Sequence, residues 1–270
     1  MKRDLELVRN RARDWVSREV GYHLLDVRPD DRFLASFPRS GSTWLRTVLC
    51  NLVVPWGRAN PDVFNALIPG VTIRGALRAR SLQAPRIIST HMPYRSGLPR
   101  AVYLVRDGRD ALVSYYHYRI LRRAPRRDVS FGQFFDEHMR GLQGEPWHQN
   151  VSRWVKVGGN ELGARLHFVR YEDLLAEPLS RVSDLCRFLE VDASAAEVET
   201  ALRDASLETM RAVEERRMGA PVQRERSFYR GGHSRTGGLW FDDQMLDRFA
   251  TEAGEALDLC GYPRRAEQRP

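Results

Sequence analysis

The chain has 270 residues, 42% hydrophobic and 29% charged, enough apolar material for one large α/β domain or two small ones. Its formal net charge of +8 rests almost wholly on arginine, since Lys2 and Lys156 are the only lysines, and such a surplus attracts polyanions of any kind. Three scattered cysteines exclude a disulfide framework, no apolar run is long enough to span a bilayer, and no apolar signal segment opens MKRDLELVRNRARDWV, so a soluble cytoplasmic protein is expected.

Residues 1–25 predict an amphipathic helix, with Leu5, Val8, Ala12, Trp15 and Val16 near helical spacing. Residues 32–37 are short and apolar enough for a buried strand. Pro38-Arg39-Ser40-Gly41-Ser42 interrupts that run, and from Thr43 a helical pattern continues through Trp44, Leu45, Val48, Leu49 and Leu52 to just before Pro55. Strand, compact polar loop, helix is the first unit of an α/β fold. Residues 55–86 are rich in Pro, Gly and Arg, and their period decides nothing.

Three more strands are predicted: 87–90, ending at His91; 101–105, ending at Arg106-Asp107; and 166–170, followed by Tyr171-Glu172-Asp173. Helices are expected from about Asp110 to Tyr116, after Tyr171 with a break near Pro178, and around Val182, Leu185, Cys186, Phe188 and Leu189. This pattern predicts an α/β, P-loop-like single domain over residues 1–270, its motif-bearing core about 30–245, with a central mostly parallel sheet flanked by helices. Ligands gather beyond the carboxyl ends of such strands. Arg39, His91, Arg106 and Tyr171 each follow a predicted strand at that end.

The segment from Pro38 to Trp44 joins a strand to a helix, so its amides and the hydroxyls of Ser42 and Thr43 are well placed to hold an anion. It lacks the G-x-x-x-x-G-K-[ST] of a Walker A loop. On its own it fits either phosphate binding or a plain turn capped by Ser or Thr.

At these residues the chain resembles the nucleotide-dependent sulfotransferase family, over most of residues 30–245. Phe37-Pro38-Arg39-Ser40-Gly41-Ser42-Thr43-Trp44 is similar to the family's 5′-phosphosulfate loop, its lysine or arginine falling on Arg39 and its adenine-stacking tryptophan on Trp44. Val105-Arg106-Asp107-Gly108-Arg109-Asp110 and the residues to Tyr116 resemble the 3′-phosphate motif, with Arg106 and Ser114 on the phosphate. Thr90-His91 matches the catalytic-histidine segment, and Tyr171 the tyrosine near the adenine. Ser206-Leu207 resembles the stretch lining the adenine, and Arg230-Gly231-Gly232 the C-terminal nucleotide loop. The resemblance implies 3′-phosphoadenylyl sulfate as donor and adenosine 3′,5′-bisphosphate as product.

Three positions depart from the family pattern. Ser89 stands where a lysine is common two positions before the histidine, Gly231 replaces the lysine of Arg-Lys-Gly, and Leu207 replaces an aromatic. The short C-terminal dimer motif is not recognisable, which leaves monomer and homodimer both open.

Sulfuryl transfer needs a base on the acceptor side and fixed positive charge where the leaving oxygen develops charge. The resemblance gives these roles to His91 and Arg39; arginine stays protonated, so its part is electrostatic only. No residue cluster has metal-ligand spacing, and no metal is expected. His117 and His138 are read as helix-face or solvent residues, and Glu172 and Asp173 as a helix start.

The acceptor is expected to be a small hydroxylated molecule, held by residues 55–86, 118–150 and the loop after Met218. Trp56, Phe64, Tyr94, Phe134, Phe135 and Trp147 supply aromatic walls there, while arginines at 74, 78, 80, 95, 122, 123, 126 and 127 leave room for an anion. Three other readings stay open: a kinase-like phosphotransferase, an inactive member of the same fold, and an arginine-rich nucleic-acid binder. The missing Walker lysine opposes the first and the absence of a reading module the last, so neither nucleic acid nor membrane is expected as a partner.

Overall fold

The computed structural model describes residues 2–54, 61–119, 129–222, 227–229 and 239–265, with side chains from residue 13 in the first stretch and from 63 in the second. Strands β1 (Arg32–Ser36), β2 (Ile87–Thr90), β3 (Ala101–Val105) and β4 (Leu166–Arg170) form one sheet in the order β2-β1-β3-β4. Every pairing is parallel, with Leu34 opposite Ser89 on one side and Val102 on the other, and Val105 opposite Arg170.

Side chains alternate across this sheet. Phe33, Ala35, Tyr103 and Val105 point into one hydrophobic cluster, while Leu34, Val102 and Leu104 point into the other. Both faces of β1 and β3 are covered and every residue of these two strands is buried, so they read as continuous apolar runs. The result is three layers, helix, sheet, helix.

The helices are α1 (Lys2–Leu24), α2 (Ser42–Val53), α3 (Pro61–Leu67), α4 (Ile73–Arg80), α5 (Gly108–Tyr116), α6 (Phe131–Met139), α7 (Trp147–Ser152) and α8 (Gly159–Leu162), the last two joined by a π-helical turn, Arg153–Gly158. They continue as α9 (Tyr171–Ala176), α10 (Pro178–Leu189), α11 (Ala195–Asp204), α12 (Leu207–Met218), α13 (Asp243–Glu252) and α14 (Gly254–Leu259). Helices α5, α6, α7, α13 and α14 cover the first face, and α2, α10 and α11 the second. The break expected near Pro178 is a new helix start: Pro178 sits at the first position, where its missing amide costs nothing.

Two sequence expectations change here. Trp15 and Val16 are exposed, at 64% and 45%, so they do not form the buried stripe of α1. That helix docks instead through its second half, where a Cβ on Gly21 would lie 2.4 Å from the backbone carbon of Thr72. Residues 61–67 and 73–80 also form helices, although their period gives no sign of it. Thr72 caps α4 by accepting from the Gly75 amide, and the close approach of α1 holds it down. Beneath this corner the fully buried Arg86 donates to both carboxylate oxygens of Asp31, at 2.7 and 2.6 Å.

Candidate active site

After β1 the chain turns sharply. Arg39 and Gly41 adopt left-handed backbone angles, φ 71° and 100°, and α2 begins at Ser42 with no side chain capping its first turn. The first amides of a helix lack intrahelical acceptors, and a turn of alternating hand aims successive N–H groups into one concavity. The hydroxyl of Ser40 is buried without a hydrogen-bond partner among the described residues. Tyr171, at the end of β4, closes the side of this cradle, its ring filling the space beside Gly41.

Arg39 crosses the cavity and is held from several directions. Its Nε donates to Ser114 Oγ at 3.1 Å, one terminal nitrogen donates to the Phe228 carbonyl at 3.1 Å, and its guanidinium lies 4.0 Å from the Phe228 ring centre and 5.1 Å from that of Tyr118. Phe228 is itself fixed by Glu214 of α12, a buried carboxylate that accepts from the Ser227 hydroxyl at 2.6 Å and the Phe228 amide at 3.0 Å.

Arg106 follows β3. Its guanidinium is 5.0 Å from the Tyr171 ring centre and 3.8 Å from the Asp110 carboxylate, and its carbonyl accepts from the Trp147 indole at 3.1 Å. Asp107 turns instead to its own helix: it caps the Arg109 amide and takes the Arg109 guanidinium.

His91 follows β2. Its Nδ1 lies 2.8 Å from the Ser36 carbonyl, which can only accept, so the ring proton sits on Nδ1 and Nε2 carries the free lone pair. Burial pushes the His91 pKa down to about 4, helped by the positive charges of Arg18, Arg46 and Arg39 and opposed by the Ser36 bond. The ring is therefore neutral near pH 7 and able to accept a proton.

These groups share one cavity of about 1240 Å³, large enough for a nucleotide and a second small molecule. Arg39, Gly41, Ser42, Thr43, Trp44, His91, Arg106, Ser114, Tyr171 and Leu207 all line it. Ser40 sits behind that wall, and Ser206 spends its hydroxyl capping α12 through the Thr209 amide. Arg230, Gly231 and Gly232 lie outside the described residues; Tyr229, just before them, lines the cavity.

The acceptor-wall expectations need revision. Phe64 lines the cavity, but Tyr94, Phe134, Phe135 and Trp147 are buried in the core, where their size fills the layer beside β3. Arg74, Arg78, Arg80 and Arg95 line no part of it; Arg95 pairs with Glu19 of α1. Trp56 and the arginines at 122, 123, 126 and 127 lie outside the described residues. Asp14 and Arg18 of α1 are lining residues that no sequence reading singled out, whereas Tyr118, Phe228, Tyr229 and Trp240 fall within the stretches 118–150 and after Met218 expected to hold the acceptor.

His117 and His138 are also corrected, since both are buried. His117 meets the Trp240 ring edge-on at 4.9 Å inside the cavity, whereas His138 Nε2 accepts from the Trp147 amide at 3.0 Å. Glu172 does more than start a helix: it accepts from the Asp107 amide at 3.1 Å and the Tyr262 hydroxyl at 2.6 Å, tying the ends of β3 and β4 to the C-terminal segment. Among the described residues no cluster of His, Cys, Asp or Glu is arranged to hold a metal, and no helix is long and apolar enough to cross a membrane.

A sharp loop after β1, cations after β1 and β3, and a neutral histidine after β2 thus meet in one cavity at the carboxyl ends of the strands. A model of the sulfotransferase domain matches residues 29–261, and the chain belongs to that family. Sulfotransferase 1 family member D1 of Rattus norvegicus is 27% identical over 206 residues, 69% of this chain and 68% of the relative. Flavonol 4′-sulfotransferase of Flaveria chlorifolia is 26% identical over 267 residues, 87% of this chain and 81% of the relative. The solved structure of mouse sulfotransferase SULT7A1 complexed with PAP has a TM-score of 0.71 at 21% identity, covering 91% of this chain and 90% of that one, a likeness of fold.

Proposed function

We propose that this protein moves a sulfuryl group from 3′-phosphoadenylyl sulfate to the hydroxyl of a small acceptor in the cytoplasm, with His91 as general base and Arg39 as the fixed positive charge. The observation that carries this reading is the setting of His91, whose Nδ1 is held by the Ser36 carbonyl at 2.8 Å, leaving the Nε2 lone pair free, and which lines the cavity shared with the anion cradle. The uncapped first turn of α2 and the hydroxyls of Ser42 and Thr43, which line the cavity, fit the 5′-phosphosulfate end of the donor. Arg106 and Ser114 fit the 3′-phosphate, with Trp44, Tyr171 and Leu207 toward the adenine, and the family resemblance adds Arg230, Gly231 and Gly232 to the nucleotide's contacts.

The donor, when bound, supplies the sulfuryl group and a phosphate leaving group. His91 Nε2 takes the acceptor's hydroxyl proton as the new oxygen–sulfur bond forms, and the sulfur–oxygen bond to the leaving phosphate breaks. Arg39 stabilises the charge that gathers on the leaving oxygen and gives up no proton. Since Ser114 Oγ already accepts from Arg39 Nε, this one hydroxyl joins the charge-stabilising residue to the 3′-phosphate site.

Calorimetry with adenosine 3′,5′-bisphosphate, run against AMP, ADP and ATP, tests the donor assignment, and turnover by the His91→Ala variant tests the base. Selective binding of the bisphosphate, with turnover lost and that binding largely spared in the variant, is the expected result. A folded protein that prefers ATP points instead to phosphoryl transfer. Near-normal turnover by His91→Ala removes the base assignment.

A further inference from the structure

Helix α1 brings a charge to the cavity that the donor does not need. Asp14 and Arg18, four residues apart and so on one face of the helix, both line it together with His91. The carboxylate next to Arg18 in sequence, Glu19, is taken by Arg95, whose guanidinium also lies 4.8 Å from the Tyr22 ring centre. Asp14 is not within ion-pair distance of Arg18, and among the described residues no other carboxylate is either. Among the described residues Arg18 is therefore a cation without a counterion, half-buried in the wall of the site.

Its position is firmly set. Gly21, one turn further along α1, is in backbone contact with Thr72, so the helix cannot roll without breaking that contact. The positive charge of Arg18 lowers the His91 pKa more than that of Arg46 or Arg39 does, as expected of a charge near the ring. Arg39 and Arg106 are assigned above to the donor's sulfonate and phosphate, whereas Arg18, which lines the same cavity from α1, is assigned to neither.

We infer that Arg18 selects the acceptor, and that the acceptor is a hydroxylated molecule carrying an anionic substituent such as a carboxylate. A guanidinium presents a planar fork of N–H donors that matches a carboxylate, and partial exclusion of water strengthens the pairing. Asp14, exposed at the mouth, disfavours a second anion further out. This inference rests on the donor and base assignments above and adds the acceptor's chemistry to them.

Three probes of one skeleton test it: 4-hydroxyphenylacetate, its neutral amide, and tyramine. Each is measured as kcat/KM with the donor and as calorimetric affinity for the protein loaded with adenosine 3′,5′-bisphosphate. The carboxylate is expected to be favoured over the amide about 10-fold or more by either measure, the size of one good charged pair. Arg18→Ala should bring that ratio close to one, and Arg18→Glu should turn the preference toward tyramine.

A histidine NMR titration gives a second readout, because loss of the Arg18 charge should raise the pH at which His91 protonates. Equal handling of carboxylate and amide, or no binding of the carboxylate at all, overturns the inference. So does a tyramine preference in the unaltered protein that Asp14→Asn removes. Failure to bind the bisphosphate breaks the donor assignment first, whereas bisphosphate binding without a carboxylate preference removes only the role of Arg18.

Discussion

Tyr171 occupies the space into which any side chain on Gly41 would project: a Cβ at Gly41 would fall 2.5 Å from Tyr171 Cδ2. The loop after β1 and the first residue after β4 are thus closed on each other across the intervening strand. The same glycine holds φ 100°, where an L side chain is strained even in open space.

Gly41→Ala should consequently lose affinity for adenosine 3′,5′-bisphosphate by about 10-fold or more, since one contact plus the strain costs at least ~1.4 kcal/mol. Calorimetry and thermal melting on one preparation would separate site from fold. Adding Tyr171→Ala should recover part of the loss, the part that is steric. Affinity equal to that of the unaltered protein would mean the cradle tolerates the missing space.

Arg39→Ala should lower kcat by about two orders of magnitude or more, in the range seen when a preorganised charge stabiliser is removed. Acceptor KM should change far less. Arg39→Lys keeps the charge but loses the planar fit between Phe228 and Tyr118, and should fall between the two. Steady-state kinetics at saturating donor measures both.

Glu214 reaches no reacting atom on the reading above; it acts by holding Phe228 against Arg39. Glu214→Ala leaves the Ser227 hydroxyl and Phe228 amide without their buried acceptor, a cost of about 1–3 kcal/mol. It should weaken bisphosphate binding and lower kcat together, with Glu214→Gln milder because its amide oxygen still accepts. If the effect runs through Arg39, Glu214→Ala should change kcat much less when Arg39→Ala is already present, which a double-mutant cycle would show.

Burial lowers the pKa of His91 to about 4 and of His138 to about 3, against an ordinary value of 6.5. Between those limits the unfolded chain binds protons that the folded one refuses. The fold is thus most stable above pH 6.5 and weakens as the pH falls, by up to about 1.4 kcal/mol per pH unit for each such histidine. Urea unfolding at pH 7, 6 and 5 should show this slope. His138→Gln, which can still accept from the Trp147 amide, should reduce it by one histidine's share, whatever it does to stability at pH 7. For the same reason kcat/KM should show no break at pH 6.5 belonging to His91.

The sheet and the cradle were legible because their physics is local. Ile87–Thr90, Ala101–Val105 and Leu166–Arg170 are short runs each ended by a polar residue, and the ends of parallel strands all face one way. Phe228 and Tyr118 gave no such signal. They lie in polar, Arg-rich surroundings, and only the folded chain brings them to Arg39 across 189 and 79 positions of sequence. Arg18 is one of several arginines on α1, and what sets it apart is that Arg95, 77 residues on, has taken Glu19. His138 was misread because a polar residue on an amphipathic helix normally faces water; its partner, the Trp147 amide, lies beyond a turn that brings α7 back onto α6.

The strand order β2-β1-β3-β4 carries a consequence of its own. The three adjacent strands β1, β3 and β4 end in the residues assigned to the nucleotide, while the base follows β2 at the sheet's edge, the strand beside which α1 and α4 are layered. On the proposed reading, donor recognition and acceptor recognition thereby fall on separate ground. On that reading, substitutions on the β2 flank would retune which hydroxyl is modified while the residues assigned to the donor keep their places, a division of labour between the middle of the sheet and its margin.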